Sequence, residues 1–171
     1  MSIPSRPSDS SCASYSPRTF FVTTRTAGGR SLFQTDRMAS LLIEVLRSSM
    51  RAGKITVHDF VIMPNHVHIL MTLPSEVTLE KAMQLIKGSF SFRANKELGF
   101  HGEIWQRGYS DVQILDETSF QRHQDYIDNN PVKAGLANAP EEFPFGTAYL
   151  KKQKHAGAKA QELLGGIYRH D

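Results

Sequence analysis

Hydrophobic positions recur along the chain with two different periods, and each period predicts one kind of secondary structure. Alternating or continuous β-branched and aromatic residues predict strands. Apolar residues spaced three and four positions apart predict helices with one buried face. In chain order, the predicted elements are a strand at 19–26, a helix at 36–52, strands at 54–63 and 66–73, a helix at 78–98, a strand at 110–116 and a helix at 118–130.

Residues that favour turns and caps set several of these boundaries. The segment 63–65 contains a proline and an asparagine and predicts a tight turn between two strands. Thr118 and Gln121 have the spacing of a capping box and predict the start of the last helix. That helix is expected to end near Asn130, because Pro131 disfavours helical geometry at the residue before it.

The resulting order, β-α-β-β-α-β and one further helix, predicts an α+β protein with a ferredoxin-like split β-α-β fold. Such a fold has an antiparallel sheet with helices on one face. The ordered domain is expected at 18–149. A disordered arm rich in serine and proline is expected at 1–17, and a basic tail or a short, loosely docked helix at 150–171.

Composition narrows the class of protein. Of the 171 residues, 40% are hydrophobic and 22% charged, which is typical of one globular domain. The sole cysteine, Cys12, excludes an internal disulfide framework and a zinc site built from cysteines. No apolar run approaches the roughly 20 residues of a membrane span, and the first 18 residues lack the apolar core of a secretory signal. We therefore expect a cytoplasmic protein with no membrane partner, and a net charge of +3 permits an anionic partner without requiring one.

Two histidines in the predicted strand 66–73 are the first candidates for chemistry. His66 and His68 are two positions apart, so both side chains leave the same face of the strand, with Cα atoms about 6.6 Å apart. This spacing lets two imidazoles bind one divalent metal ion. The apolar residues at 67, 69, 71 and 73 are expected to bury the opposite face and to leave the histidine face open. The alternative is a pair of unrelated exposed histidines.

Further metal ligands must come from elsewhere in the chain. No Asp-His pair follows His68, so the pattern of many H-x-H zinc hydrolases is not present. Oxygen ligands together with imidazole favour Mg²⁺ or Mn²⁺. Tyr126 and Asn130 lie one helical turn apart on one face, where they offer a phenolic nucleophile and an amide oxygen ligand. The alternatives are a packing tyrosine and a turn-forming asparagine.

Three segments carry a resemblance to a known family. FVIMPNHVHIL (60–70), IWQRGYSD (104–111) and YIDNNPVKAGL (126–136) resemble the single-tyrosine HUH transposases, and among these the REP-associated tyrosine transposases of bacteria. The resemblance covers about 18–147. It implies a ferredoxin-like fold with the histidines on central strands. It also implies an enzyme that cleaves and rejoins single-stranded DNA near a hairpin.

The resemblance also implies roles for individual residues. His66 and His68 match the paired metal-binding histidines, Asn130 the third ligand of Mg²⁺ or Mn²⁺, and Tyr126 the nucleophile that forms a 5′-phosphotyrosine. Two other functions stay open: a hairpin-binding protein of the same fold that does not cleave, and a metal-dependent hydrolase that uses water. The protein is expected to act as a monomer or a homodimer at the nucleoid.

Four side chains are candidates for contacts with single-stranded or hairpin DNA. Lys87, Arg93 and Arg107 are expected to meet phosphates, although exposed cations on a helix more often face only solvent. Trp105 is expected to stack on an unpaired base, an interaction worth about 1–3 kcal/mol. The alternative for Trp105 is an anchor in the hydrophobic core. Lysines of the predicted tail at 150–171 add a general attraction for DNA that weakens as salt rises.

Overall fold

The computed structural model describes residues 16–167, and the side chains of 16–159. The arm predicted at 1–17 therefore lies almost wholly outside the described residues. The strands are β1 (Arg18–Arg25), β2 (Thr56–Met63), β3 (His66–Leu73) and β4 (Ser110–Ile114). The helices are α1 (Asp36–Arg51), α2 (Leu79–Leu98), α3 (Glu117–Lys133) and α4 (Thr147–Ile167).

The four strands form one antiparallel sheet in the order β2-β3-β1-β4. The two strands at the centre, β1 and β3, pair along their whole length, from Arg18 opposite Leu73 to Arg25 opposite His66. This topology confirms the predicted α+β fold and puts both histidines on a central strand.

One face of the sheet carries the main hydrophobic core. Helices α1 and α2 pack on this face, where Leu42 and Phe90 meet strand residues such as Val22 and Ile69. The apolar residues at 67, 69, 71 and 73 of β3 point into this core and are almost completely buried, as their period of two predicts. The two helices of the split β-α-β unit thus lie on one face, as expected.

The opposite face differs from the expectation, because α3 covers part of it. Ile127 of α3 packs against Val61 of β2 and Leu70 of β3 in a second, smaller cluster. The histidine face is therefore not an open surface, and His68 is only 4% exposed. The order of the predicted elements does not indicate that α3 packs on the histidine face, since α3 lies outside the split β-α-β unit.

Both ends of α3 also differ from the prediction. Asp116, rather than Thr118, caps the helix, since its carboxylate accepts a hydrogen bond of 2.7 Å from the Ser119 amide. The helix continues through Pro131 to Lys133. Pro131 is buried, and its carbonyl oxygen accepts a bond of 2.9 Å from Leu136, so packing and this closing turn offset the lost amide donor.

The region predicted as a basic tail begins inside a long helix, α4. Its first residue joins it to β2, because the Thr147 hydroxyl accepts a bond of 2.9 Å from the Phe60 amide. From Lys151 to Lys159 every side chain is exposed. Within residues 16–167, no helix is both long and apolar enough to cross a membrane.

Candidate active site

His66 and His68 lie side by side at the start of β3, directly after the β2–β3 turn. Their ring centroids are 4.8 Å apart. His66 Nδ1 lies 2.8 Å from Asn65 Oδ1, and His68 Nδ1 lies 2.8 Å from Thr23 Oγ1. A ring that donates through Nδ1 keeps the lone pair of Nε2 free for a metal ion. Asn65 thus leaves the Nε2 atom of His66 free as a ligand, and the Thr23 hydroxyl does the same for His68 when it accepts from Nδ1.

The Nε2 atom of His68 is buried and has no hydrogen-bond partner. A buried polar atom without a partner destabilises a fold by about 1–3 kcal/mol, so such atoms call for an explanation. Coordination of a metal ion would satisfy this one.

Burial and positive charge keep both rings neutral. The pKa of His68 is lowered to about 3, first by burial and then by the charges of His66 and Arg25. The pKa of His66 is lowered by burial and by Arg25, and a side-chain interaction with Asn130 opposes that shift. Neutral imidazole is the form that binds metal, so at pH 7 both rings are ready to do so.

Tyr126 reaches the same place from α3. Its ring lies edge-on to His68, with centroids 5.3 Å apart, and edge-on to Phe21 at 5.9 Å. In spite of these contacts, 43% of the side chain is exposed. The ring is therefore positioned from one side and open to a substrate from the other, which suits a nucleophile.

Asn130 follows Tyr126 by one helical turn, and its side chain is close enough to His66 to raise the pKa of that ring. Two imidazole nitrogens and an amide oxygen are thus brought together from β3 and α3. Among the side chains of residues 16–159, no three from histidine, cysteine, aspartate or glutamate gather around one point, and a third protein ligand beside the two histidines would be the amide oxygen of Asn130. This neutral set fits Mg²⁺ or Mn²⁺, which complete octahedral shells with water and phosphate oxygens.

Three of the four side chains predicted to contact DNA make other contacts within the protein. Trp105 is 9% exposed, packs against Phe33 and Phe90, and donates from Nε1 to the Lys87 carbonyl at 3.1 Å. Its ring is a core anchor, which was the alternative interpretation, and little of its surface is left for stacking on DNA. Arg93 pairs with Glu97 on α2, on the side of the sheet opposite to the histidines.

Lys87 and Arg107 lie near the histidine end of β1. The Lys87 ammonium donates to the carbonyls of Gln106 and Gly108, at 3.1 and 2.8 Å. These bonds hold the loop before β4 in place. Partial burial of the Lys87 ammonium lowers its pKa. Arg107, in contrast, is exposed on that loop and stays a candidate for a DNA contact.

Two cations close to the site were missed from the sequence. Arg25 lies opposite His66 in the β1–β3 register, and Lys133 places its ammonium 5.8 Å from the centroid of the Tyr126 ring. Lys133 lies seven positions after Tyr126, so helical spacing could have indicated that the two side chains share one face of the helix. Arg25 could be found only with the strand register in hand.

Known proteins are similar to this chain. Residues 20–130 match the model of the family described as "Transposase IS200 like". A REP-associated tyrosine transposase of Escherichia coli K12 is 26% identical over 130 residues, or 75% of each chain. A candidate REP-associated tyrosine transposase of Haemophilus influenzae is 28% identical over 142 residues, which are 71% of this chain and 81% of that protein.

Solved structures agree with this relationship. The structure of a REP-associated tyrosine transposase bound to a REP hairpin is similar with a TM-score of 0.62 and 26% identity, over 87% of this chain and 84% of that one. A transposase-like protein of Deinococcus radiodurans has a TM-score of 0.50 at 20% identity, over 67% of this chain and 91% of that one, and shows the fold alone. Because the family match spans more than half of the chain and includes His66, His68, Tyr126 and Asn130, this protein belongs to the IS200-like transposase family.

Proposed function

We propose that this transposase cleaves and rejoins single-stranded DNA next to a hairpin, through a 5′-phosphotyrosine at Tyr126 and with Mg²⁺ or Mn²⁺. The observation that carries the proposal is the orphaned Nε2 atom of His68. It lies in a ring that is 5.3 Å from the Tyr126 ring, centroid to centroid, and 4.8 Å from the His66 ring. A nucleophile and a metal-binding pair thus share one site.

The residues of the site divide the work. His66, His68 and Asn130 would hold the metal ion, which when bound polarises the scissile phosphate and offsets its developing charge. Thr23 and Asn65 orient the two rings through Nδ1. Tyr126 is held by Phe21 and His68 on one side, so its hydroxyl can approach a phosphate from the exposed side.

The chemistry conserves a phosphodiester. The Tyr126 oxygen attacks phosphorus, a new P–O bond to tyrosine forms, and the bond from phosphorus to the 3′-oxygen breaks. The phenolic proton is released to solvent, and the leaving oxygen takes up a proton as a free 3′-hydroxyl. Rejoining reverses these changes, so no nucleoside triphosphate is needed.

Hairpin DNA is the substrate that the family relationship favours. The similar solved structure is a REP-associated tyrosine transposase bound to a REP hairpin, and the present chain covers 84% of that protein. We extend this substrate class to the present protein, which would act on the DNA of the nucleoid. The monomer and the homodimer remain alternatives.

A covalent-adduct assay tests the proposal. The protein is mixed with single-stranded hairpins taken from the flanks of its own gene, labelled on either side of candidate cleavage sites, with Mn²⁺ or Mg²⁺. A denaturing gel is expected to show protein that carries the 3′-side fragment, with the adduct lost in Tyr126→Phe and with a chelator. Tyr149→Phe, which removes a hydroxyl from α4, is the matched control and keeps the adduct.

Two other outcomes would replace the proposal. Tight hairpin binding without any adduct would indicate a DNA-binding protein that does not cleave. Cleavage without an adduct that survives Tyr126→Phe would indicate a hydrolase that uses water.

A further inference from the structure

Asp59 of β2 is a buried acidic residue that lies apart from the two histidines. Its side chain is 1% exposed, and among the described residues neither of its carboxyl oxygens has a hydrogen-bond partner. Buried carboxyl groups normally accept hydrogen bonds or bind a cation, because an isolated buried charge strongly destabilises a fold. Two buried oxygens without a partner on one side chain therefore point to a bound group.

A β-bulge in β2 turns this side chain towards α3. The β2–β3 register shifts between Val57 and Asp59, so that His58 is the extra residue. Such a bulge can re-aim a side chain, here to the face that α3 covers. His58 packs edge-on against Phe120 of α3, with ring centroids 5.3 Å apart, and Asp59 faces Asp128 of the same helix. The bulge thus directs an acidic side chain into the interface between β2 and α3.

Two further oxygen groups lie beside Asp59, one from α3 and one from α4. The pKa of Asp59 is raised to about 8, chiefly by burial, and both Asp128 and Thr147 are close enough to shift it. The Thr147 hydroxyl accepts from the Phe60 amide at 2.9 Å and donates to the Phe60 carbonyl at 3.3 Å. Because its proton is directed to that carbonyl, the hydroxyl can offer a lone pair to a cation.

The surroundings leave room for an ion and supply no close positive charge. Asp128 and Thr147 line a narrow cleft of about 10 Å³ between β2, α3 and the start of α4. This is close to the space that one water molecule needs. The charge of Lys151 acts on Asp59, but Lys151 is exposed and forms no ion pair with any side chain of residues 16–159. The two acidic side chains are therefore not neutralised by a salt bridge.

We infer that Asp59, Asp128 and Thr147 form a second cation site, separate from the histidines, for a hard divalent ion such as Ca²⁺. All three donors are oxygens and two of them are carboxylates, which is the ligand type that Ca²⁺ prefers. Water completes the shell from the side of Asp128 and Thr147, which are only half-buried. The inference does not depend on the proposed function, because such a site stabilises the fold whether or not DNA is cleaved.

A cation at this place joins β2, α3 and α4. Asp128 lies two residues from both Tyr126 and Asn130, so a bond to Asp128 also fixes the part of α3 that carries them. In the cation-free protein, a proton on Asp59 relieves the repulsion between the two acidic side chains, as its raised pKa indicates. The proton cannot link α4 to the pair, and the cation can.

Thermal unfolding in the presence of Ca²⁺ tests the inference. The protein is stripped with EDTA, dialysed, and melted near neutral pH in rising CaCl₂, with KCl of equal ionic strength as the reference. An ion that binds only the folded state should raise Tm by at least about 5 °C at roughly 100 times its dissociation constant. Calorimetric titration should show about one Ca²⁺ per chain, since an oxygen-only site prefers Ca²⁺ and imidazole does not.

Substitutions at the two acidic residues make the result specific. Asp59→Asn and Asp128→Asn keep the shape but remove the charge, and each should weaken Ca²⁺ binding by about tenfold or more. Asp128 is only half-buried, so its variant remains informative if Asp59→Asn does not fold. Asp125→Asn, at an exposed position of α3, should keep the full rise in Tm. His68→Leu should also keep it, because the histidines are not ligands of this ion.

Hydrogen exchange locates the bound ion. Ca²⁺ should slow exchange of the α3 amides around Asp128 in the unaltered protein but not in Asp128→Asn. The amides of α1, which packs on the other face of the sheet, are the internal reference and should not respond. Equal slowing in α1 and α3 would show a general effect of the salt and would overturn the inference.

Lys151 is the competing partner for the two acidic side chains. If the site binds a cation, Lys151→Met removes a competing positive charge and leaves the Ca²⁺ effect in place or increases it. A loss of stability in Lys151→Met, together with no response of the unaltered protein to Ca²⁺, would assign the pair to a salt bridge and overturn the inference. An equal rise in Tm for the unaltered protein and Asp59→Asn would also overturn it.

Discussion

His68 and Tyr126 meet edge to face across the gap between β3 and α3, with ring centroids 5.3 Å apart and planes inclined by 73°. One ring is buried and the other is almost half exposed. The pair therefore joins the interior of the sheet, where a metal ligand can be held rigid, to a surface that DNA can reach.

The replacement of His68 by leucine should separate stability from function. The Nε2 atom of His68 is buried without a hydrogen-bond partner, which destabilises the fold. An apolar side chain of similar size removes this unfavourable contribution. We expect His68→Leu to unfold in urea at the same concentration as the unaltered protein or a higher one. Calorimetric titration with Mn²⁺ should show affinity at least tenfold weaker. Stability lost together with metal affinity would mean that His68 serves the fold.

Asn130→Asp should strengthen metal binding. A carboxylate at the same position adds negative charge to a ligand set that is otherwise neutral, and Mg²⁺ and Mn²⁺ prefer such oxygen ligands. We expect the dissociation constant for Mn²⁺ to fall about tenfold and Asn130→Ala to raise it by a similar factor. Asn129→Asp, whose side chain is exposed on the same helix, is the control and should leave the constant unchanged. Equal responses at 129 and 130 would show a general electrostatic effect.

Trp105→Ala should destabilise the whole domain. The ring packs against Phe33 and Phe90, with centroids 5.5 Å from each, and its removal leaves a cavity in the core. Such substitutions lower the free energy of unfolding by about 3–5 kcal/mol, which urea denaturation measures. Trp105→Phe keeps most of the packing and loses the bond to Lys87, so a smaller loss is expected. A stable Trp105→Ala variant with weak DNA binding would restore the stacking role.

Asp59 should make stability depend on pH. Its carboxyl is 1% exposed, and its pKa is raised to about 8 by burial first and by the facing carboxylate of Asp128, against the opposing effects of Thr147 and Lys151. The group binds its proton more tightly in the folded state. Its contribution to stability is thus complete below about pH 4 and declines as pH rises to about 8.

The free energy of unfolding should accordingly fall between pH 5 and pH 8, with a slope of at most about 1.4 kcal/mol per pH unit from this group. Asp59→Asn keeps the shape of the neutral acid and should flatten the slope. Asp116→Asn, at the exposed cap of α3, is a control that leaves it in place. The same slope in Asp59→Asn would mean that the carboxyl is charged in the folded protein at these pH values.

The local sequence pattern was enough to predict the strands of the sheet, because a strand with one buried face has an apolar residue at every second position. β3 begins and ends at the predicted residues, and the pair His66 and His68 follows from its pleat. The end of α3 was missed because a local rule for Pro131 was outweighed by burial of the ring. Pattern on its own does not show which neighbour a side chain will meet.

Residues whose role depends on long-range contacts were the ones that were missed or misplaced. Arg25 and Thr23 gain their position beside the histidines from pairing between segments more than 40 residues apart. Trp105 gains its burial from contacts with Phe33 and Phe90. The β2–β3 register shifts just before Asp59, and this shift places Asp59 beneath α3. The sequence alone does not indicate such a shift.

Because β1 pairs with β3, the number of residues in β1 determines which of its side chains lie beside the histidines. Loss or gain of one residue within β1 would exchange its two faces, so Thr23 and Arg25 would turn into the core and Val22 would turn towards the histidine face. The bond that orients His68 and the packing of the main core would be lost together. Insertions should therefore be tolerated between β1 and α1, at residues 27–31, and be absent from β1 itself among active members of this family.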